Sequence, residues 1–245
     1  IENDNHNPVA LQVGGSDFND LNLCSKIASE YNYNEINLNV GCPSKAVQKG
    51  TFGACLMKNK ILVRECLEAL QNENIEVTIK CRIGLGKKFE YDFFEEFIDE
   101  ILKSGIKIVY VHARNAILSG VSPKGNRSIP PLNYKFVEKI KSKYSNIQFI
   151  LNGGIDSMSK ALELSKSYDG VMLGRLIQNN PFCLKDVDKD FFNQPNKYII
   201  SENTIKDYFT FIKPKIGTDS IYRLLSPLLN IFFEVPDGKK FKIDI

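Results

Sequence analysis

The chain has few of the residues from which metal sites are usually built. Its 245 residues include two histidines, His6 and His112, and no two of its six cysteines form a CxxC pair. Zinc is usually held by closely spaced cysteines and histidines, so the sequence predicts no metal site. The cysteines, at positions 24, 42, 55, 66, 81 and 183, are typical of reduced thiols in an intracellular protein.

Long apolar segments are missing as well. No stretch reaches the roughly 18 consecutive apolar residues of a membrane-spanning helix, and the first residues show no signal peptide. We therefore expect an intracellular protein, most simply a cytoplasmic one, that does not bind membranes. Because the chain begins with Ile1 rather than Met, an organellar targeting segment in front of it stays open. The net charge of +3 permits nucleic acid as a partner but does not require it.

Short β-branched runs alternate with amphipathic segments through most of the chain. The predicted strands cover residues 9–13, 35–40, 77–83, 108–112, 149–152 and 170–173. Helical spacing of apolar residues predicts a helix over 92–103 that ends near Gly105, and Ser157 can cap a helix that runs through residue 165. The repeated strand–helix order predicts a parallel sheet.

Polar residues stand where successive predicted strands end. These residues are Gln12, Asn39, Lys80, His112 and Asn152. A doubly wound sheet concentrates its site at one switch point, whereas a (β/α)8 TIM barrel collects groups from many strand ends at one face. The pattern therefore favours an α/β protein built as a TIM barrel.

Two of the predicted strands lead into glycine turns, in LNGGI at 151–155 and GVMLGR at 170–175. Barrels usually hold a phosphate at strands seven and eight, on the N–H groups of such turns. We therefore expect the six strands to be barrel strands three to eight, with the first two lying outside the chain. A catalytic barrel domain would cover residues 1–184, and apolar residues at helical spacing predict a small helical domain over 185–245.

Cys42 lies in NVGCPS, where Gly41 and Pro43 predict a turn directly after a strand. A lone cysteine is most often a small buried apolar residue. Its place at a strand end instead favours a thiol that points into the site as an acid or a nucleophile.

Lys80 and His112 lie on strands that alternate in character. In VTIKCRI, Lys80 shares one face with Thr78 and Arg82, while the apolar residues take the other face. A lysine on the inner face of a barrel strand is poorly solvated, which favours an anionic or carbonyl-rich ligand over a solvated charge. His112 ends VYVH, so contact with a ligand is favoured over a histidine buried in the core.

The glycine turns and a basic loop are candidate anion sites. Asn152-Gly153-Gly154 and Gly174-Arg175 could be simple turns, but two such turns at neighbouring strand ends, one with an arginine, favour phosphate binding. Lys124 and Arg127 lie in SPKGNRSIPPL, a loop that we expect to be too polar and proline-rich for the core. Beside the site they could bind a polyanion, or they could simply be solvated.

These segments together resemble the tRNA-dihydrouridine synthases, FMN-dependent enzymes that reduce uridine in tRNA. The matching stretches run in unbroken order from about residue 8 to residue 184. They are PVALQVGGSD, EINLNVGCPSKAVQKGTFGACLM, VTIKCRIG, VHARNAILSGVSPKGNRSIPPL, LNGGI and DGVMLGR. The SGVSPKGNRSIPPL loop resembles the A-type branch, which acts on positions 20 and 20a of the D-loop.

The resemblance implies a role for each matching residue. Cys42 would be the proton donor, and Asn39 would contact the uridine. FMN would be bound by Gln12, Lys80 and His112, and its phosphate by Asn152, Gly153, Gly154, Gly174 and Arg175. Lys124, Arg127, Lys239 and Lys242 would touch tRNA. NADPH would be the transient reductant, and no obligate protein partner is expected.

The sequence also departs from that family. It contains neither the first strand, with its Pro-Met pair and Thr-Asp motif, nor the second, and the helical domain stops after KKFKIDI. We therefore expect the 245-residue chain alone to bind FMN weakly or not at all. Two alternatives remain open: an FMN barrel that reduces a free pyrimidine, like dihydroorotate dehydrogenase, and a non-catalytic tRNA-binding protein.

Overall fold

Six strands form one parallel sheet in the computed structural model, which describes residues 8–196, 202–231 and 240. The strands are β1 (Ala10–Val13), β2 (Glu35–Val40), β3 (Glu76–Arg82), β4 (Ile108–His112), β5 (Gln148–Asn152) and β6 (Gly170–Met172). All six predicted strands are confirmed, two with their predicted bounds and the others within one residue. The strands lie side by side in chain order from β1 to β6. Because this order never reverses, the described sheet has no switch point of the kind that a doubly wound sheet uses.

Helices connect the strands and continue after β6. They are α1 (Phe18–Glu30), α2 (Lys45–Lys49), α3 (Lys60–Leu70), α4 (Tyr91–Leu102), α5 (Tyr134–Lys143), α6 (Met158–Ser165), α7 (Arg175–Asn179), α8 (Val187–Phe192), α9 (Glu202–Ile212) and α10 (Ile221–Leu225). Short 3-10 helices cover Gly53–Lys58, Gly125–Arg127, Pro181–Asp186, Lys213–Lys215 and Ser226–Asn230. Within the described segments, no helix is both long enough and apolar enough to cross a membrane.

Side-chain caps explain where several helices begin. The Asp17 carboxylate accepts hydrogen bonds from the backbone N–H groups of Asn19 and Asp20, at 2.9 and 3.0 Å, and so starts α1. The predicted cap before α6 is confirmed, because the Ser157 hydroxyl accepts the backbone N–H of Lys160 at 3.2 Å. The helix predicted over 92–103 is α4, shifted by one residue at each end.

The core lies between one face of the sheet and the helices that cover it. Alternate residues of β2, such as Ile36 and Leu38, are fully buried, and so are Val109 and Val111 of β4. Helix α4 contributes to the same core with buried side chains spaced three and four residues apart, namely Phe94, Phe97, Ile98 and Ile101. Each such side chain contributes about 1.5–3 kcal/mol by leaving water.

The other face of the sheet is polar. Parallel pairing sets Asn39 beside Lys80 and Arg82 beside His112, and it sets His112 beside Asn152. Because paired residues of neighbouring strands share a face, the polar strand ends predicted from the sequence lie on one side of the sheet.

The described chain divides into two compact units. The first comprises the residues up to Gly154 together with Leu164–Met172, and the second comprises Ile155–Glu163 and the residues from Leu173 onward. Strands β1–β6 belong to the first unit, and α7–α10 belong to the second. The predicted barrel domain over residues 1–184 and the predicted helical domain over 185–245 stay predictions.

Candidate active site

A cavity of about 300 Å³ opens at the carboxyl ends of the strands in the first unit. Seven residues predicted from the sequence line it: Gln12, Asn39, Cys42, Lys80, His112, Arg127 and Asn152. They come from five strands and two loops, so the parallel sheet brings together side chains that are up to 140 positions apart in the sequence.

Other predicted site residues lie elsewhere. Lys124 is exposed and is not part of the cavity lining, although it lies three residues before Arg127. Gly174 and Arg175 belong to the second unit, where Gly174 caps α7 and Arg175 begins it. Lys239 and Lys242 lie outside the described residues.

The turn that carries Cys42 is held from both sides. The Asn39 side-chain oxygen accepts the backbone N–H groups of Gly41 and Cys42, each at 3.1 Å. The Cys42 carbonyl accepts the N–H of Ala54 at 2.9 Å. Gly53 makes this approach possible: its φ is +73°, and a Cβ there would lie 2.6 Å from the Cys42 carbonyl oxygen. These contacts keep the Cys42 residue at the cavity wall.

Lys80 is a cation in a poorly solvated place. Burial lowers its pKa below the ordinary 10.5, and the charge of Arg82 lowers it further. Among the described residues, Lys80 makes no side-chain hydrogen bond or ion pair. A largely buried ammonium group without a partner is unfavourable, so its place in the cavity wall favours an anionic or carbonyl-rich ligand.

Arg82 is a cavity residue that the sequence analysis did not select. Its Nε donates to the Gly41 carbonyl at 2.9 Å, and its Nη1 donates to the carbonyls of Asn115 and Asn126 at 2.9 and 3.0 Å. The residue is 4% exposed, and burial lowers its pKa from 12.5 to about 10. Arg82 therefore joins the Cys42 turn to two segments after β4. The signal was present in the sequence, because Arg82 shares its strand face with Lys80.

The basic loop departs from the expectation that it is too polar for the core. Asn126 is fully buried. Its side chain accepts the N–H of Ile117 at 2.7 Å and donates to the Ile117 carbonyl at 2.9 Å. A buried amide is stable when backbone groups satisfy it in this way. Asn126 thus folds the loop back on itself, with Arg127 at the cavity and Lys124 in solvent.

The glycine turn after β5 approaches His112 closely. Gly153 has a φ of +107°, and a Cβ at this position would lie 2.8 Å from the His112 ring. The Tyr134 hydroxyl donates to the Gly153 carbonyl at 2.7 Å, and the Asn152 side chain donates to the Met172 carbonyl at 2.8 Å. Close approach to His112 is therefore one reason for glycine here.

The charge of the cavity wall is positive. Lys80, Arg82 and Arg127 line it, and no Asp or Glu is among its lining residues. Nowhere in the described part of the chain do three or more His, Cys, Asp or Glu residues gather as a metal site would require. All six cysteines are free thiols. The charge of the wall is suited to an anionic ligand.

Comparisons with known proteins agree across the whole chain. Residues 1–242 match the family model described as Dihydrouridine synthase (Dus). Three similar proteins are each named tRNA-dihydrouridine(20/20a) synthase. The protein of Yersinia pestis is 40% identical over 238 residues, which are 96% of this chain and 69% of that protein. The protein of Vibrio vulnificus is 37% identical over 98% of this chain and 74% of its own length.

The third, from Pasteurella multocida, is 42% identical over 212 residues, which are 86% of this chain and 65% of that protein. The matched region thus spans between 65% and 74% of the length of these three relatives. The family match covers both units and every strand of the sheet, and the identities are well above the level at which only a fold is shared. The chain belongs to the dihydrouridine synthase family.

Proposed function

We propose that this protein reduces uridine to 5,6-dihydrouridine in the D-loop of tRNA, at positions 20 and 20a, with bound FMN and with NADPH as reductant. The observation that carries the proposal is the cavity itself. It combines the Cys42 thiol, a lysine without a partner among the described residues and two arginines, in a chain whose relatives are named tRNA-dihydrouridine(20/20a) synthase.

The sheet is proposed to be part of a (β/α)8 barrel, with β1–β6 as barrel strands three to eight. The Tyr110 hydroxyl donates to Glu35 Oε2 at 3.0 Å, although β3 lies between their strands. In a flat sheet their Cα atoms would be about 16 Å apart, from two strand spacings of about 4.8 Å and a four-residue offset of about 3.3 Å per residue. Side chains cannot bridge that distance, so the sheet curves toward its polar face, as a barrel wall does.

The cavity residues fit FMN. Gln12 and Asn39 bring amide groups for the ring, and Lys80 brings a cation to the electron-rich carbonyl side of the flavin, where its buried charge gains a partner. His112 and Asn152 line the same wall. Gly153 and Gly154 are proposed to bind the FMN phosphate. The resemblance to the family proposes phosphate binding for Gly174 and Arg175 too.

Cys42 is the proposed proton donor. When bound and reduced by NADPH, the flavin would supply a hydride from N5 to C6 of the uracil ring. The carbon C5 then needs a proton from a group on the cavity wall. A cysteine thiol can act as a general acid, and Cys42 lines the wall of the cavity. The backbone bonds around Gly41 and Ala54 hold the residue at the wall while the proton moves.

The substrate contacts are proposed to be one amide for the uridine and several cations for the tRNA. Asn39 would contact the uridine, Arg127 would meet the nucleotide at the cavity, and the exposed Lys124 would meet the tRNA backbone. Lys239 and Lys242 are proposed to extend these contacts. A uridine must leave its stack to reach the cavity, which a loop nucleotide does at little cost. Binding through phosphates should weaken steeply as salt rises.

The first test compares Cys42→Ala with Cys55→Ala in the protein expressed from its own gene. Cys55 is a matched control, because it lies in the same segment and its thiol donates to the Phe52 carbonyl at 3.0 Å instead of lining the cavity. We expect Cys42→Ala to keep reduction of its flavin by NADPH and to lose about 10²–10⁴-fold in dihydrouridine formation. Cys55→Ala should keep both steps.

The outcome in cells is measured by mapping dihydrouridine at single-nucleotide resolution in tRNA from a strain that lacks the gene. We expect loss at positions 20 and 20a and rescue by the wild-type gene but not by Cys42→Ala. An unchanged profile, or equal rates on free uridine, orotate and tRNA, would contradict the proposed function and favour a free-pyrimidine reductase.

A further inference from the structure

A line of hydrogen bonds runs along the polar face of the sheet, from the amino end of β2 to the Cys42 turn. The Thr78 hydroxyl donates to Glu35 Oε1, and Asn37 Nδ2 donates to Thr78 Oγ1 at 2.7 Å. Gln12 Nε2 donates to Asn37 Oδ1 at 2.8 Å, and Asn39 Nδ2 donates to Gln12 Oε1 at 3.0 Å. We call these five residues the relay.

The relay has one direction because its two ends differ chemically. The two Glu35 oxygens accept the hydroxyls of Thr78 and Tyr110, so the Thr78 hydroxyl spends its proton on Glu35 and accepts from the Asn37 amide. At the other end, the backbone N–H of Cys42 can only donate, so the Asn39 oxygen must face it. Each amide between these ends has one orientation that satisfies both neighbours.

Burial makes that orientation costly to change. Thr78 is fully buried and Asn37 is 4% exposed. A flipped amide at Asn37 would set its nitrogen against the Gln12 nitrogen and its oxygen against the Thr78 oxygen, so both hydrogen bonds would be lost. A buried polar group that loses its partner is strongly unfavourable. The buried half of the relay therefore orients the two amides that lie at the cavity.

We propose that Glu35 is a positioning residue that fixes, through the relay, which atoms Gln12 and Asn39 present to the cavity. Each of these amide nitrogens makes one hydrogen bond within the relay, which leaves its second hydrogen without a partner among the described residues. The cavity therefore receives N–H donors, which match the carbonyl oxygens of a pyrimidine-dione ring. The same orientation aims the Asn39 oxygen at the Cys42 turn. The inference rests on the proposed function, since that function supplies the ring.

The chain offers closely matched variants. Thr78→Val keeps the shape of the side chain and removes the hydroxyl in the middle of the relay, whereas Thr78→Ser keeps the hydroxyl. Tyr110→Phe removes a bond to the same carboxylate but leaves every bond between Glu35 and Asn39 in place. Glu35→Leu removes the acceptor at the end of the relay. If Thr78→Val does not fold, Glu35→Leu tests the relay in its place.

The first readout uses the flavin-free protein and needs no activity. Hydrogen exchange of the Cys42 backbone N–H reports its bond to Asn39. We expect exchange to be about fivefold faster in Thr78→Val and in Glu35→Leu than in wild type, because one hydrogen bond is worth about 1 kcal/mol. Thr78→Ser and Tyr110→Phe should exchange at the wild-type rate. Unchanged exchange in Thr78→Val would overturn the relay.

The second readout separates the two half-reactions at saturating FMN. We expect Thr78→Val to lower dihydrouridine formation on tRNA by about 10–100-fold, because misplacement of a reacting group by about 1 Å costs that much. Reduction of the flavin by NADPH should stay within about twofold, and Thr78→Ser should restore turnover. Equal loss in both half-reactions, failed rescue by Thr78→Ser, or the same loss in Tyr110→Phe would overturn the inference. A wild-type protein that forms no dihydrouridine would instead overturn the proposed function, and the exchange data would still decide the relay.

Discussion

Replacing Arg82 tests how the Cys42 turn is held. Arg82→Met keeps most of the apolar stem and removes the donors to the carbonyls of Gly41, Asn115 and Asn126. Three hydrogen bonds from a charged group are worth about 4.5–9 kcal/mol at roughly 1.5–3 kcal/mol each. The variant also removes the cost of burying the Arg82 charge. Burial lowers the pKa of Arg82 from 12.5 to about 10, which corresponds to a cost of about 3 kcal/mol at 1.36 kcal/mol per pKa unit.

The balance is a destabilisation of about 1.5–6 kcal/mol, with a middle value near 4 kcal/mol. Urea unfolding followed by circular dichroism should show a midpoint about 1–2 M lower at an ordinary m-value. Arg82→Lys should recover part of the loss, because an ammonium group can reach some but not all of these carbonyls. Both variants should lower dihydrouridine formation, because the turn that carries Cys42 loses a support.

The matched control is Arg64→Met on the outer surface of α3. Arg64 forms ion pairs with Glu68 and Glu100 at 2.6 and 3.0 Å, but these pairs are in contact with solvent. We expect little change in its urea midpoint. If Arg82→Met unfolds at the wild-type urea concentration, the three carbonyl contacts do not stabilise the fold, and the reasoning is refuted.

Three further predictions follow from the cavity. Burial lowers the pKa of Lys80, so the folded ligand-free protein binds fewer protons than the unfolded chain up to about pH 10.5. Lys80→Met should therefore be more stable than wild type at pH 7, with an advantage that shrinks toward pH 10 in urea unfolding; a constant advantage would contradict this. Gly153→Ala should lose roughly 1–3 kcal/mol from its positive φ and its contact with a histidine ring, whereas Gly174→Ala, with nothing within 4 Å of its Cβ, should be tolerated. Arg127→Ala should raise the Kd for tRNA, and lower the salt dependence of tRNA binding, more than Lys124→Ala does. If a variant weakened flavin binding as much as tRNA binding, the loop would have a structural role instead.

Much of the site could be predicted from the sequence because successive side chains of a strand point to opposite faces of the sheet. A polar residue at the end of an apolar run, such as Asn39, Lys80 or His112, has to face away from the core. In a parallel sheet the carboxyl ends of all strands lie at one edge. The cavity that contains Gln12, Cys42 and Asn152 follows from these two rules, and so does the division of β3 into an apolar face and a polar face.

Other features depended on distances between elements, which no local pattern contains. Arg82 looked like one more charge on a strand, and its role depends on carbonyls from three segments meeting at one guanidinium group. Lys124 and Arg127 look alike in the sequence, and only the fold of the loop around buried Asn126 places one of them in the cavity and the other in solvent.

The sequence by itself therefore determined the order of the strands, the polar strand ends and the family to which the motifs belong. The tertiary structure alone decided how those groups are held. The relay from Glu35 to Asn39 exists because the register of three neighbouring strands sets Gln12 beside Asn37 and Asn37 beside Thr78. A hydrogen bond depends on distance and angle within fractions of an ångström, and those are set by packing rather than by residue type.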